Sequence, residues 1–256
     1  MTEGRYEEAQ RLYAHSLPLL ERVLGPEQPA TATTLGNLCV ASSRLNADID
    51  ARPLCERALA VREKVFGPNH PDVARSLSDL GLLYANDGDF ARAEPLFRRA
   101  LQIVDSLPDS PDEAALLNNL GIFYFRKKKY TVAEKMFERS VQWIEKNHGA
   151  EDPSLVPILN NLASVRLAKH RASAAEPLFR RALAIAENSP VLDQTDGVRS
   201  LVGLARAGAD QGRRSEAEEF LHRAENLVNH NGPTGRELNN AIEAAEANLL
   251  HSSGSR

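Results

Sequence analysis

The stretch "AEPLFRRAL" occupies Ala93 to Leu101 and returns at Ala175 to Leu183. Small, apolar and charged residues alternate in it as they do along an amphipathic helix, yet each copy holds a proline, Pro95 and Pro177. A proline deep in a helix costs about 3 kcal/mol. A segment that keeps one in both copies must therefore place it where the cost is small. The copies stand 82 residues apart, a spacing that suggests two units of about 41 residues and makes internal repetition the first question to settle.

Comparable segments open at Ala9, Ala51, Ala93, Ala133, Ala175 and Ala217, in steps of 42, 42, 40, 42 and 42 residues. Each brings a small residue, an apolar one four positions on and a small one three further: Ala51/Cys55/Ala58, Ala93/Phe97/Ala100, Ala133/Phe137/Ser140, Ala175/Phe179/Ala182 and Ala217/Leu221/Ala224. That spacing puts all three on one helical face. A second stripe precedes each anchor: Leu35/Leu38/Cys39, Leu77/Leu80/Gly81/Tyr84, Leu117/Leu120/Gly121/Tyr124, Leu159/Leu162/Ala163 and Leu201/Leu204/Ala205. Between the stripes lie turn signals such as "NDGDF" (Asn86 to Phe90) and "DQGRR" (Asp210 to Arg214). Each unit reads as helix A, tight turn, helix B. No unit has apolar surface enough to stand alone, so stacking must bury the rest.

On this reading Pro53, Pro95 and Pro177 fall in or beside the first turn of a helix B, where few backbone N–H groups have an intrahelical partner, and Pro157 does the same in a helix A. "FGPNHPD" (Phe66 to Asp72) and "HGAEDPS" (His148 to Ser154) connect one unit to the next with Gly and Pro as stop signals. The shorter "SLPDSPD" accounts for the 40-residue step. The expected organisation is one solenoid domain over 1-250, with units near 6-29, 30-71, 72-111, 112-153, 154-195 and 196-232, a capping helix at 234-250 and a disordered tail at 251-256.

Leu-Gly-x-x-Tyr in helix A, followed by Ala, Phe and Ala in helix B, resembles the tetratricopeptide repeat. Its usual period is 34, and the longer form here, best seen from Ala58 to Leu101, is similar to the repeats of kinesin light chains. The resemblance covers about Tyr6 to Val228 as five full units behind a leading helix B. Ser42, Arg166 and Gly208 replace the helix A tyrosine in the first, fourth and fifth units. It implies an all-α, right-handed superhelix with a concave groove lined by A helices, and a role in binding peptide segments there. Fold alone does not prove that role.

Both ends fall halfway through a unit. An orphan helix B opens the chain after a glycine turn, "EGRYEEA". "GRELNNAIEAAEANLL" closes it as an orphan helix A, with Leu238, Ile242, Ala245 and Leu249 on one face. Each reads as a cap over the exposed end of the stack; the alternatives are that the orphans pair between molecules, or that the start lies upstream.

Net charge is −4, with 31 Lys+Arg against 35 Asp+Glu, so no global basic field gathers nucleic acid or anionic membrane. No run reaches the roughly 20 apolar residues of a membrane helix, and the polar, acidic start is unlike a secretory signal. A cytoplasmic protein is expected. Two cysteines, Cys39 and Cys55, are too few for a disulfide framework or a zinc site. They fall at packing positions of one unit and read as buried free thiols. The seven histidines are scattered, and no Walker loop or nucleophile elbow appears. The expectation is a protein without enzymatic activity, cofactor or metal.

The resemblance also supplies candidate ligand-facing positions on helix A: Thr33, Asn37, Val40 and Arg44 in the first unit, then Arg75, Asp79, Leu82 and Asn86. The third and fourth units give Ala115, Asn119, Ile122 and Arg126, then Pro157, Asn161, Ser164 and Ala168. The fifth gives Arg199, Gly203, Arg206 and Asp210. Asn37, Asn119 and Asn161 occupy the place of the clamp asparagines of related repeats, whose amides both donate to and accept from a peptide backbone. Asp79 and Gly203 interrupt that ladder. Arg44, Arg75, Arg126, Arg199 and Arg206 outnumber Asp79 and Asp210 on the same stripe, which points to an acidic peptide or protein partner. The function expected is an adaptor. A subunit that self-associates through its half-repeat ends and a sensor module for a separate effector are the rivals.

Overall fold

A computed structural model describes residues 3–45, 51–107, 110, 112–189, 194–229 and 235–251. Among these the chain forms helices and no strands. They are α1 (Glu3–Leu24), α2 (Pro29–Arg44), α3 (Arg52–Phe66), α4 (Pro71–Asn86), α5 (Phe90–Asp105), α6 (Glu113–Arg126), α7 (Tyr130–Asn147), α8 (Leu155–Ala168), α9 (Ala172–Asn188), α10 (Gln194–Asp210), α11 (Arg214–Asn229) and α12 (Gly235–His251). Five A/B pairs, α2/α3 to α10/α11, lie between a leading helix B and a trailing helix A. Gly4, expected in a turn, lies inside α1. Apart from His251, the expected tail is outside the described residues.

Both stripes are buried. Ala93, Ala100, Ala133, Ser140, Ala175, Ala182, Ala217 and Ala224 are fully covered, and Phe97, Phe137, Phe179 and Leu221 fill the space between them. Small residues there let facing helices approach closely, as the four- and three-residue spacing requires.

The turns between A and B share one backbone device. Gly88 and Gly212 hold positive φ, and so do Lys128 and His170 at the same place in two other repeats. The repeat thus imposes a left-handed residue even where the sequence offers no glycine. Asp89 then caps α5, its carboxylate accepting from the Arg92 N–H at 3.0 Å.

The prolines sit deeper than the sequence suggests. Pro53 does lie in the first turn of α3 and Pro157 in that of α8. Pro95 and Pro177, however, are each the sixth residue of their helix, where the missing N–H would have met a carbonyl four residues back. Both prolines are exposed. The freed carbonyl therefore turns to water on the outer face, which lowers the cost.

The chain divides into two compact units, 1–123 and 124–256, the division falling within α6. In the first, Leu35, Leu77, Leu80, Leu117 and Leu120 form the core with Phe97, whose ring lies 5.0 Å from that of Phe123. Cys39 and Cys55 are paired there as a disulfide between α2 and α3, with Cα atoms 5.4 Å apart. This corrects the free-thiol expectation: the two packing positions face each other across the A/B contact, within reach of a bridge. In the second unit Leu201, Leu204, Phe179 and Ala217 lead the core, and α12 lays Leu238, Ile242 and Ala245 onto it. The side chain of Leu249 is outside the described residues. At the other end, α1 leaves Leu12, Leu19 and Val23 exposed.

Candidate functional site

Helices α2, α4 and α6 bring four of the expected residues to one cavity of about 220 Å³ in the first unit: Asn37, Arg75, Asp79 and Asn119. Val40 and Ala115, also on the expected stripe, line it too. Helical spacing places Asn37 and Val40 on one face of α2, and Arg75 and Asp79 on one face of α4. The wall includes residues the stripe did not contain, chiefly Arg62 from α3, Ser78, and Asp112 ahead of α6.

Two kinds of polar group meet there. Some are occupied: Arg75 forks onto Asp112 with three hydrogen bonds of 2.8–3.1 Å, and the Asn119 amide donates to Ser78 Oγ at 2.9 Å. The bond to Asp112 raises the Arg75 pKa further. Others are not. Among the described residues Asn37 makes no side-chain hydrogen bond, and Asp79 makes neither a hydrogen bond nor an ion pair. Burial pushes the Asp79 carboxyl up to about 6, against the pull of Arg62 and Arg75. Arg62 is itself 2% exposed, and burial lowers its pKa.

Arg62 escaped sequence reasoning, which followed helix A alone. A signal was present in helix B: later repeats place Val104, Ile144, Ala186 and Val228 at this position. A charge where other repeats carry alkyl groups marks a departure from the packing rule.

The remaining candidates lie elsewhere. Arg44, exposed at the end of α2, acts on Asp79 through its charge. Arg126 is exposed at the end of α6, and Asn161 is half-buried on α8. Arg199 and Arg206 are exposed on α10 without an ion-pair partner among the described residues. Gly203, expected to face a ligand, is instead buried beneath Phe179. A Cβ there would stand 2.3 Å from the ring. Beside Asn161, the buried Asn160 ties α8 to α10, donating to the Asp196 carbonyl at 3.1 Å and accepting from Ser200 Oγ at 2.8 Å.

Two charged clusters in the second unit hold helices rather than ligands. Glu134 receives Lys169 at 2.7 Å and Arg171 at 2.5 Å, with Arg166 at 3.3 Å. Burial pushes its pKa up, but these bonds outweigh it and the carboxyl ends below its ordinary value. Glu176 bonds Arg213, Arg180 and Gln211, which lower its pKa to about 2 despite burial. Among the described residues no group of three or more His, Cys, Asp or Glu could hold a metal ion. No described helix is long and apolar enough to cross a membrane.

A sequence profile described as tetratricopeptide repeat matches residues 1–46, 48–106 and 112–188. No curated protein matches. Among solved structures, BtubC (BKLC) of P. vanneervenii superposes with a TM-score of 0.72 at 21% identity, over 91% of this chain and 93% of that one. A Podosopora anserina protein of kinesin-light-chain type, with nearly identical TPR-like repeats, gives 0.64 at 22% identity, over 80% and 99%. YrrB, described as a TPR protein with an unusual peptide-binding site, gives 0.51 at 15% identity, over 90% and 96%. Identities this low show the fold alone, a solenoid of helix pairs. The profile spans most of the chain, and with the 42-residue step and the paired A and B stripes it places this chain in the tetratricopeptide repeat family.

Proposed function

We propose that the chain is a non-enzymatic adaptor that holds a peptide, or an extended segment of a partner protein, against its A helices. The observation that carries this reading is the cavity of the first unit. It gathers Asn37 and Asp79, polar groups the fold does not use for itself, on the face where the family resemblance expects a ligand. Polar groups left unbonded inside a recess are suited to a ligand that brings its own donors and acceptors. That YrrB carries a peptide-binding site supports the same class of ligand.

In the second unit, Asn161, Arg199 and Arg206 offer a second contact surface. An acidic preference rests there and on Arg44, because Arg75 is already held by Asp112. The proposal involves no cofactor, nucleic acid or membrane. The Cys39–Cys55 disulfide fits an oxidising compartment better than the cytoplasm. Cysteine titration in freshly isolated protein decides between the two.

The test is to capture binding proteins, identify them by mass spectrometry and trim the partner. A linear segment that keeps the affinity of the whole partner supports the reading. A requirement for the partner's folded domain overturns it.

A second reading, self-association, is favoured by the exposed Leu12, Leu19 and Val23 of α1. They recur at seven and four residues and so share one face. A concentration-dependent oligomer that Leu19→Glu with Val23→Glu converts to monomer would support it. A monomer at every concentration would remove it.

A further inference from the structure

The cavity of the first unit holds a donor set and an acceptor set that the fold leaves open. A guanidinium has five N–H donors, and that of Arg62 makes one hydrogen bond among the described residues, to Ser76 Oγ at 2.5 Å. It lies under Gly36, where a Cβ would stand 3.0 Å from its Nη2, so the glycine gives this buried charge its room. The Asp79 carboxylate is the unfilled acceptor. Arg75 and Asp112 satisfy each other. Within the cavity the two positive groups are thus matched by two negative ones.

That balance selects among ligands. A carboxylate entering to meet Arg62 would also approach Asp79 and Asp112. An ammonium meeting Asp79 would approach Arg62 and Arg75. An alkyl group would leave donor and acceptor sets equally unsatisfied, and a buried polar group without a partner is costly. A planar amide has no net charge and carries an acceptor and a donor side by side.

We propose that this cavity is a pocket for a neutral amide of the bound peptide, whose carbonyl oxygen accepts from Arg62 and whose N–H donates to Asp79. The proposal rests on the peptide-binding reading and names the chemistry its first-unit cavity selects. The amide comes from an Asn or Gln side chain or from the peptide backbone.

The full chain, labelled with nitrogen-15, is titrated with the N-acetyl methylamides of glutamine, glutamate, lysine and alanine while the amide signals of Gly36, Ser78 and Asp79 are followed. With the side-chain amide in the cavity, the glutamine probe binds about tenfold tighter than the glutamate and lysine probes, the discrimination expected when a wrong charge enters a partly desolvated site. An alanine probe equal to glutamine assigns the amide to the backbone, and a weaker one assigns it to the side chain. Asp79 on α4 is faced by Arg62 from α3, Arg44 from α2, Arg75 from α4 and Asp112 ahead of α6. With its pKa near 6, the glutamine probe weakens as pH falls from about 7.5 to about 5 and the acceptor is protonated.

Asp79→Asn is the variant to compare, because Asn37, Asn119 and Asn161 show that the repeats accept asparagine there. It leaves Arg62 without its counter-charge and turns the preference toward the glutamate probe. Glutamate or lysine binding tighter than glutamine to the unaltered chain, no shift at the three signals, or an unchanged ranking in Asp79→Asn would each overturn the pocket. Partner binding through Asn161 and Arg206 can fail or succeed independently, since the probes report the cavity alone.

Discussion

Arg99 and Arg181, the second arginines of the two "FRR" triplets, show how a single residue carries the repeat. Arg99 bonds Glu63 at 2.5 Å and the Pro68 carbonyl at 3.1 Å. Arg181 bonds Glu145 at 2.6 Å and the Ala150 carbonyl at 2.5 Å. Each reaches back to the preceding helix B and to the loop after it, so the shared nonapeptide makes one shared contact. Lysine cannot supply that fork, and Arg99→Lys or Arg181→Lys should cost about 0.5–1.5 kcal/mol in urea denaturation. Packing residues should cost more. Ala100→Leu, Ala182→Leu and Gly203→Ala each insert atoms where none fit and should destabilise by about 1–3 kcal/mol, whereas Arg98→Ala on the outer surface should change little. Equal midpoints for the two classes would contradict the assigned helix faces. The small and apolar positions were legible because their spacing is a property of the chain. The burial of Gly203 under Phe179 was not: it depends on a ring from the preceding repeat, which no count within one repeat supplies. Nor was Arg62, which lies on a helix B while the expected site followed helix A.

Pairs of helices are held by charge as well as by packing, and the charges predict opposite responses to pH. The Glu176 pKa falls from 4.5 to about 2 through its bonds from Arg213 and Gln211 in the turn before α11 and from Arg180 on its own helix. A lowered carboxylate pKa stabilises the fold above the unfolded value, and that contribution is lost as pH falls from about 4.5 toward 2. Asp79 is the reverse. Its pKa is raised from 3.8 to about 6, so its ionisation costs stability above that value, and the cost disappears as pH falls from about 6 to 3.8. Acid titration of Glu176→Gln should therefore show less loss of stability below pH 4.5 than the unaltered chain, and Asp79→Asn should flatten the change between 3.8 and 6. A pair of curves parallel to the unaltered one would refute both assignments. At the α2/α3 contact, the disulfide closes a 16-residue separation, for which chain entropy alone gives about 3 kcal/mol. Reduction should lower the stability of the first unit by an amount of that order, and alkylation without reductant should leave both cysteines unlabelled. Helix existence was readable from periodicity. The left-handed Lys128 and His170 turns were not, because the repeat enforces a backbone that those residues do not advertise.

Across the whole chain, the repeat predicts how stability is distributed. Each helix pair packs on its sequence neighbours, so terminal elements should open before internal ones. Hydrogen exchange should find α1 and α12 least protected and the amides around Leu77, Leu117, Leu159 and Leu201 most protected; uniform protection lost in one step would contradict that distribution. The architecture was legible because it repeats: six anchors in register carry more information than any one helix. The ligand face was legible only in part, since helical geometry fixes which residues share a face while the partner chemistry depends on how Arg62, Asp79, Arg75 and Asp112 pair. The central claim is that a partner segment binds along the A helices. Its most direct measurement is calorimetric titration of the trimmed partner segment against the unaltered chain, the Asn37→Ala/Arg206→Ala double variant and Arg98→Ala, each first checked for folding. At about 0.5–1.5 kcal/mol for each lost hydrogen bond, the double variant should bind about fivefold to a hundredfold more weakly, with Arg98→Ala unchanged. Full affinity in the double variant, or loss in Arg98→Ala alone, would place the binding surface elsewhere and contradict the account.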